Sequence, residues 1–302
     1  MITAFKVLLA LACFLPLSGC KSKSPPAAKS ADAAASTPAK KVKEAKLPPA
    51  PPIVPITAQK LKIDEAPKVI ALANRAHYDP DHLGLKDLVF SAVLKMKNKK
   101  GKTEVHADCR WKGGAPDVEL TRVMRDGKAI DKEKHELNKT IWTSLQFRAR
   151  RVLNGIGRGF LRDRIEQFKT MAGKVTKLDG PKLQLVYDDK KAGKTTIVVG
   201  EGYRVESIKI ESPLGVTRSA TYEHLSVGGR NLVKKTVYNV AIDENSKAPR
   251  KAEVMLKAGN GAVTEISYAK VGRYHLPSKL VKHMPVVDDH MEVIFTHKRA
   301  RP

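Results

Sequence analysis

Two stretches of the chain place histidine and aspartate at spacings that a metal ion could use: His77, Asp79, Asp81 and His82, and His283, Asp288, Asp289 and His290. Imidazole and carboxylate groups from one short segment can close around Zn²⁺. The first stretch brackets Pro80, where Asp side chains bond their own backbone in a turn. The second spans a loop containing Pro285. Neither is taken as a metal site, and no cofactor is expected. Nucleophilic chemistry has equally little footing, because the sequence holds neither a Gly-x-Ser-x-Gly elbow nor a His-Glu-x-x-His helix. Cys109 falls on the apolar phase of an alternating run and is expected to be a small buried hydrophobe, since a reactive thiol needs a nearby base. The densest charge is a set of six arginines, Arg148, Arg150, Arg151, Arg158, Arg162 and Arg164, with Gly155, Gly157 and Gly159 among them. Planar guanidinium forks bind phosphate oxygens bidentately. The Gly155–Gly159 run follows no strand and lacks a Lys-Ser/Thr pair, so it is not read as a nucleotide loop. It is expected to be a helix–helix turn, or a basic lid.

The elements that must position these residues are mostly strands. Leu88, Phe90, Ala92, Leu94 and Met96 alternate with polar residues, as do Thr103, Val105, Ala107, Cys109 and Trp111. Period two with one apolar phase marks antiparallel strands buried on one face. The lysine-rich turn between these rows makes them a hairpin. Further strands are expected at about 117–125, 183–188, 194–200, 203–211, 216–223, 232–242, 251–258, 262–269 and 290–297. Three helices are expected. One runs from Asp64 to about Ala76. A second runs from Thr140 to Asn154, stopped by Asn154-Gly155, and a third from Phe160 to about Met171. The expected fold is β-rich α+β: an antiparallel meander forming an incomplete, half-open barrel covered by a few helices. Its inward rows, Phe90, Leu94 and Met96 from the sheet with Ile141, Leu145, Phe160 and Phe168 from the helices, are candidates for an apolar cavity.

The N-terminus carries an address. Lys6, an apolar run from Val7 to Leu17, and Leu17-Ser18-Gly19-Cys20 resemble a bacterial lipoprotein signal peptide with its lipobox. At about twenty residues a membrane span needs more apolar length than this run has. The resemblance implies cleavage after residue 19 and lipid on the Cys20 thiol. Lys21, rather than Asp, after that cysteine implies the outer membrane. Residues 20–59 hold eight prolines and no aromatic residue, and are expected to form a disordered tether. Residues 60–302 are expected to form one domain. The whole chain is strongly basic, with a net charge of +25. For an exported protein the matching polyanions are lipid phosphates, lipopolysaccharide or cell-wall polymer rather than nucleic acid.

In order of elements the domain resembles the Lol-type carriers, the LolA-like and LolB-like proteins. The residues that carry this resemblance are the helix before Gly84-Leu85, the meander from Leu88, the helices inserted near 140–171, and the ending Val263-Thr-Glu-Ile-Ser-Tyr…Tyr274-His-Leu-Pro-Ser-Lys-Leu280. The resemblance implies a cavity that receives the acyl chain of a lipid or lipoprotein, with the six arginines as candidates for the headgroup. The expectation is a non-enzymatic, outer-membrane-anchored protein facing the periplasm, with the membrane and a lipid or lipoprotein acyl chain as partners. The alternatives are a basic envelope protein gripping wall or lipopolysaccharide through its surface, and an envelope hydrolase, which no residue pattern supports.

Overall fold

Burial alternates residue by residue along β1 (Asp87–Asn98) and β2 (Gly101–Trp111), and the two pair antiparallel from Leu88 opposite Trp111 to Asn98 opposite Gly101. The expected first hairpin therefore forms. The computed structural model describes residues 65–302, apart from 82, 100, 115, 162–164, 190 and 191. The signal peptide, Cys20 and the tether lie outside the described residues.

After α1 (Ala66–Ala76), β1 and β2 come β3 (Asp117–Arg125), β4 (Lys128–Ala129) and the helix α2 (Glu136–Leu161). Then follow β5 (Lys174–Lys177), β6 (Leu183–Asp189), β7 (Gly193–Val199), β8 (Val205–Ser212), β9 (Val216–Val227) and β10 (Arg230–Ile242). The helix α3 (Arg250–Ala258) precedes β11 (Ala262–Val271), β12 (Tyr274–Met284) and β13 (Asp289–Arg301). All thirteen strands join one antiparallel sheet, in the order β4-β3-β2-β1-β13-β12-β11-β10-β9-β8-β7-β6-β5. That order is the sequence order bent into a ring and cut once, between β4 and β5. The connection across the cut is the segment that carries α2. The sheet is an open half-barrel, as expected, with helices on it.

Tight turns hold the meander together. The β9–β10 hairpin turns on Gly228 and Gly229, both at positive φ (56° and 74°), the conformation that two-residue hairpins need and that glycine adopts without a Cβ penalty. Pro277 lies inside β12, where the register with β11 shifts between Ser267 and Tyr268, so its missing N–H falls at a bulge.

Two hydrophobic clusters fill the inner face. The first gathers β1, β2, β3 and β13 with the Leu276 and Leu280 end of β12, under Ala149 and Leu153 of α2. The second gathers Leu185, Ile197, Ile208 and Ile210 of β6–β8 under Ala66, Val69, Ile70 and Ala73 of α1. Each large aliphatic side chain so buried contributes roughly 1.5–3 kcal/mol.

Three expectations are corrected. Residues 251–258 form α3, not a strand: the run of Ala, Glu, Met, Leu and Lys favours helix, and Ala252, Met255 and Leu256 turn inward at helical spacing while Val254 faces solvent. Asn154-Gly155 does not stop the second helix, which continues to Leu161 through the glycines expected to form a turn. A glycine costs only about 1 kcal/mol in a helix interior, and α2 is held by its apolar stripe on β2 and β3. In place of a third helix there is a single 3₁₀ turn, Glu166–Phe168.

Candidate functional site

A cleft opens between α1 and the inner face of β8–β10. It is narrow, with about 30 Å³ of water-accessible room open to solvent, and is lined by Ala73, Asn74, Ile165, Val205, Ile208 and Val233, with Tyr222, His224 and Asn231 among its polar members. The helix is placed by its own pattern: Ala66, Val69, Ile70, Ala73, Asn74 and Ala76 are buried at spacings of three and four. Asn74 is the one polar residue on that stripe. It is 4% exposed, and its Nδ2 amide has no hydrogen-bond partner among the described residues.

The end of α1 is pinned to the sheet next to the cleft. The Tyr78 N–H donates to the Asn231 carbonyl at 2.9 Å, and Arg230 Nη1 donates to the Arg75 carbonyl at 2.8 Å. The His275 N–H donates to the Tyr78 hydroxyl at 2.6 Å. On the facing wall His224 Nε2 lies 2.7 Å from the Val205 carbonyl. A carbonyl only accepts, so Nε2 carries the proton and the imidazole is fixed across the cleft floor. Arg204 stands at the mouth, 3.6 Å from Glu206, which also pairs with Lys182 at 2.9 Å. The arrangement is a mostly apolar groove with a few fixed polar groups. That suits an apolar chain with a polar end, and it assembles no nucleophile with a base.

The residues expected to line a cavity fall in different places. Phe90, Leu94 and Met96 are buried in the first cluster, where Phe90 packs on Phe295 at 5.9 Å. Leu145 packs against the same cluster, and Ile141 is half-buried on α2. Phe168 belongs to the second cluster, 4.9 Å from the Tyr187 ring. The Phe160 side chain lies outside the described residues. None of the other six lines the cleft.

The arginines divide similarly. Arg148 and Arg150 are exposed and Arg151 half-buried. Arg148 reaches Asp289 on β13 at 3.7 Å. Arg150 Nε donates to the Val118 carbonyl at 3.4 Å, beside Gln146 at 3.5 Å, so α2 supplies donors to an edge carbonyl of β3. Arg162 and Arg164, and the Arg158 side chain, lie outside the described residues. Beside Arg148 and Arg150, Phe147 is 66% exposed.

The histidine–aspartate groups do not converge. Asp79 accepts the Asp81 N–H at 3.0 Å, the turn expected around Pro80. His283 and His290 face each other across β12 and β13 at 6.4 Å. Among the described residues no three metal-ligating side chains come together; His82 lies outside them. Cys109 is buried, and burial pushes its thiol up to about 12, which keeps it protonated and unreactive. Among the described residues no helix is long and apolar enough to cross a membrane.

The sequence reading passed over the cleft's defining residues. The readable signal was Asn74, which sits four residues after Ile70 and eight after Ala66, on the buried phase of an otherwise apolar stripe.

No protein-family model matches the chain, and no curated protein matches it. Among solved structures it is similar to a putative outer membrane lipoprotein-sorting protein domain from Vibrio parahaemolyticus, at 8% identity and a TM-score of 0.29, over 79% of this chain and 92% of that one. It is similar to a DUF1329 family protein from Desulfovibrio piger at 6% identity and a TM-score of 0.26, over 80% and 92%. A MucA/MucB complex from Pseudomonas aeruginosa matches at 8% identity and a TM-score of 0.18, over 79% and 99%. Overlaps this slight are likenesses only.

Proposed function

We propose that this protein is a non-enzymatic envelope lipoprotein, held to the outer membrane by lipid on Cys20, whose half-barrel binds the acyl chain of a lipid or lipoprotein. The observation that carries the reading is the cleft under α1. The cleft pairs apolar walls with a few placed polar groups, as small-molecule sites do. Ile165, Val205, Ile208 and Val233 supply the apolar walls, and Asn74 and Arg204 supply donors for a polar end. The basic, exposed face of α2 around Arg148 and Arg150 then lies toward anionic headgroups.

The test is lipid extraction and native mass spectrometry on the purified full chain, together with uptake of a fluorescent fatty acid. A stoichiometric non-covalent lipid is expected. Val205→Trp, which fills the cleft, is expected to reduce uptake at least tenfold. A native chain that carries no lipid and takes up no fatty acid sinks the reading.

The net charge of +25 supports a second reading, in which the surface grips cell wall or lipopolysaccharide. Binding of that kind falls steeply with salt and is indifferent to Val205→Trp.

A further inference from the structure

β9 carries a cation on its buried phase. Val216, Arg218 and Ala220 alternate into the inner face. There Arg218 stands opposite Ile210 and Ala220 opposite Ile208, both core residues of the second cluster. Arg218 is only 7% exposed, and among the described residues no carboxylate pairs with it. Its guanidinium nitrogens are not among the fully enclosed atoms, so the stem is buried while the head stays within reach of a ligand from solvent.

The neighbouring strand adds a donor. Tyr238 stands opposite Ala220, one inward position along from the Arg218–Val240 pair, so its side chain shares the Arg218 face on the diagonal. The Tyr238 hydroxyl is buried and has no hydrogen-bond partner among the described residues. Burial raises its pKa, and the Arg218 charge pulls it the other way, which places the two groups within electrostatic reach. The inner face continues onto Thr264, which stands opposite Thr236 on β10 and opposite Lys282 on β12. Thr264 is itself buried. α3 packs beside this region, on β10 and on the 3₁₀ turn Pro285–Val287.

We propose that Arg218 and Tyr238 form a binding site for an oxyanion, a phosphate or a carboxylate, on the inner face of the half-barrel. A planar guanidinium fork matches two oxygens of such a group, and the phenol donates to another. Bound oxygens would supply the counter-charge Arg218 lacks and the acceptor Tyr238 lacks. The cation stands apart from the cleft: Arg218 is four positions along β9, about 13 Å, from the cleft residue Tyr222, while Tyr238, opposite Ala220, lies nearer to it. The site does not depend on acyl-chain binding.

The experiment is thermal unfolding of the full chain at fixed ionic strength, with inorganic phosphate replacing chloride, and calorimetric titration with phosphate. Phosphate is expected to raise the native Tm in a saturable way. Arg218→Met removes the charge and keeps the volume. It is expected to abolish the phosphate response, whereas a general salting effect would be the same in both proteins. Tyr238→Phe removes only the hydroxyl and is expected to weaken phosphate binding about tenfold, in line with the loss of one charge-assisted hydrogen bond. Monododecyl phosphate separates the sources. Binding at least tenfold tighter than inorganic phosphate assigns the site to an amphiphile's headgroup, and equal binding assigns it to free phosphate. Laurate in place of dodecyl phosphate tests a carboxylate head. A native chain without a phosphate response overturns the proposal, as does a response that survives in Arg218→Met. Should Arg218→Met not fold, unchanged phosphate affinity in Tyr238→Phe overturns it. Val205→Trp keeps the two readings apart, since it blocks fatty-acid uptake and leaves the phosphate response intact.

Discussion

Asn74 and Arg218 share a property that was visible in the sequence: each is polar on the phase of its element that faces inward. Counting apolar positions finds the core, and the exceptions on the same phase find the places where the core is interrupted. Lys282 is a third such exception. Burial lowers its pKa to about 8, against the pull of Asp289 and with the help of Arg148. Unfolded, the amine keeps its proton up to about 10.5. Between these values the unfolded chain binds more protons than the folded one, so the Lys282 contribution to stability grows with rising pH and is most unfavourable below about 8. In anion-free buffer Lys282→Met is therefore expected to be more stable than the native chain at neutral pH, and this gap should close as pH rises from about 8 to about 10.5. Urea unfolding of both proteins across that range checks it, and a gap that does not narrow rules out a depressed pKa. His297 works in the same sense lower on the scale, where burial lowers its pKa despite the Pro277 carbonyl 2.7 Å away. It removes stability as pH falls below the usual histidine range.

At the scale of elements the strands were the legible part. Period two is unambiguous where one face is dry and the other wet, and β1, β2 and β9 to β11 lie within a few residues of where alternation puts them. Residues 251–258 were misread because an eight-residue segment fits both periods: Ala252, Val254 and Leu256 alternate, while Ala252, Met255 and Leu256 make a helical stripe. Only the partner decides, and the partners here are β10 and the Pro285–Val287 turn. The distinction is measurable. Val254 is 62% exposed on α3, so Val254→Ala is expected to raise stability by about 0.5 kcal/mol through helix propensity. In a strand the same change would lower it. The glycines inside α2 misled for a similar reason, since stop signals are local and the helix is held by contacts some thirty residues upstream, such as Arg150 with Val118. The cleft was harder to read than any element, because it is built where three segments distant in sequence meet: α1, β8–β10 and Ile165.

For the whole molecule, charge and shape act together. A net charge of +25 sets a long-range field, and the exposed Phe147 among arginines puts an apolar contact within it. Binding of the full chain to vesicles containing anionic lipid is expected to weaken roughly tenfold or more between low and physiological salt. Phe147→Ser should lower the affinity that remains at high salt. Sedimentation with vesicles reads both effects, and salt-independent binding would assign the contact to the apolar groups alone.

The ring-like strand order has a consequence for how this chain is made. The last strand, β13, lies between β1 and β12, with Asp87 opposite Arg301. Among the described residues no other strand pairing joins the β1–β4 arm of the sheet to the β5–β12 arm. A chain that emerges from its N-terminus onward must therefore keep its first hairpins waiting until the final residues arrive. Pairings across so long a stretch of sequence close slowly, because the loop entropy is lost before the contacts form. Completion of the sheet thus comes last by construction, after every other strand has been made.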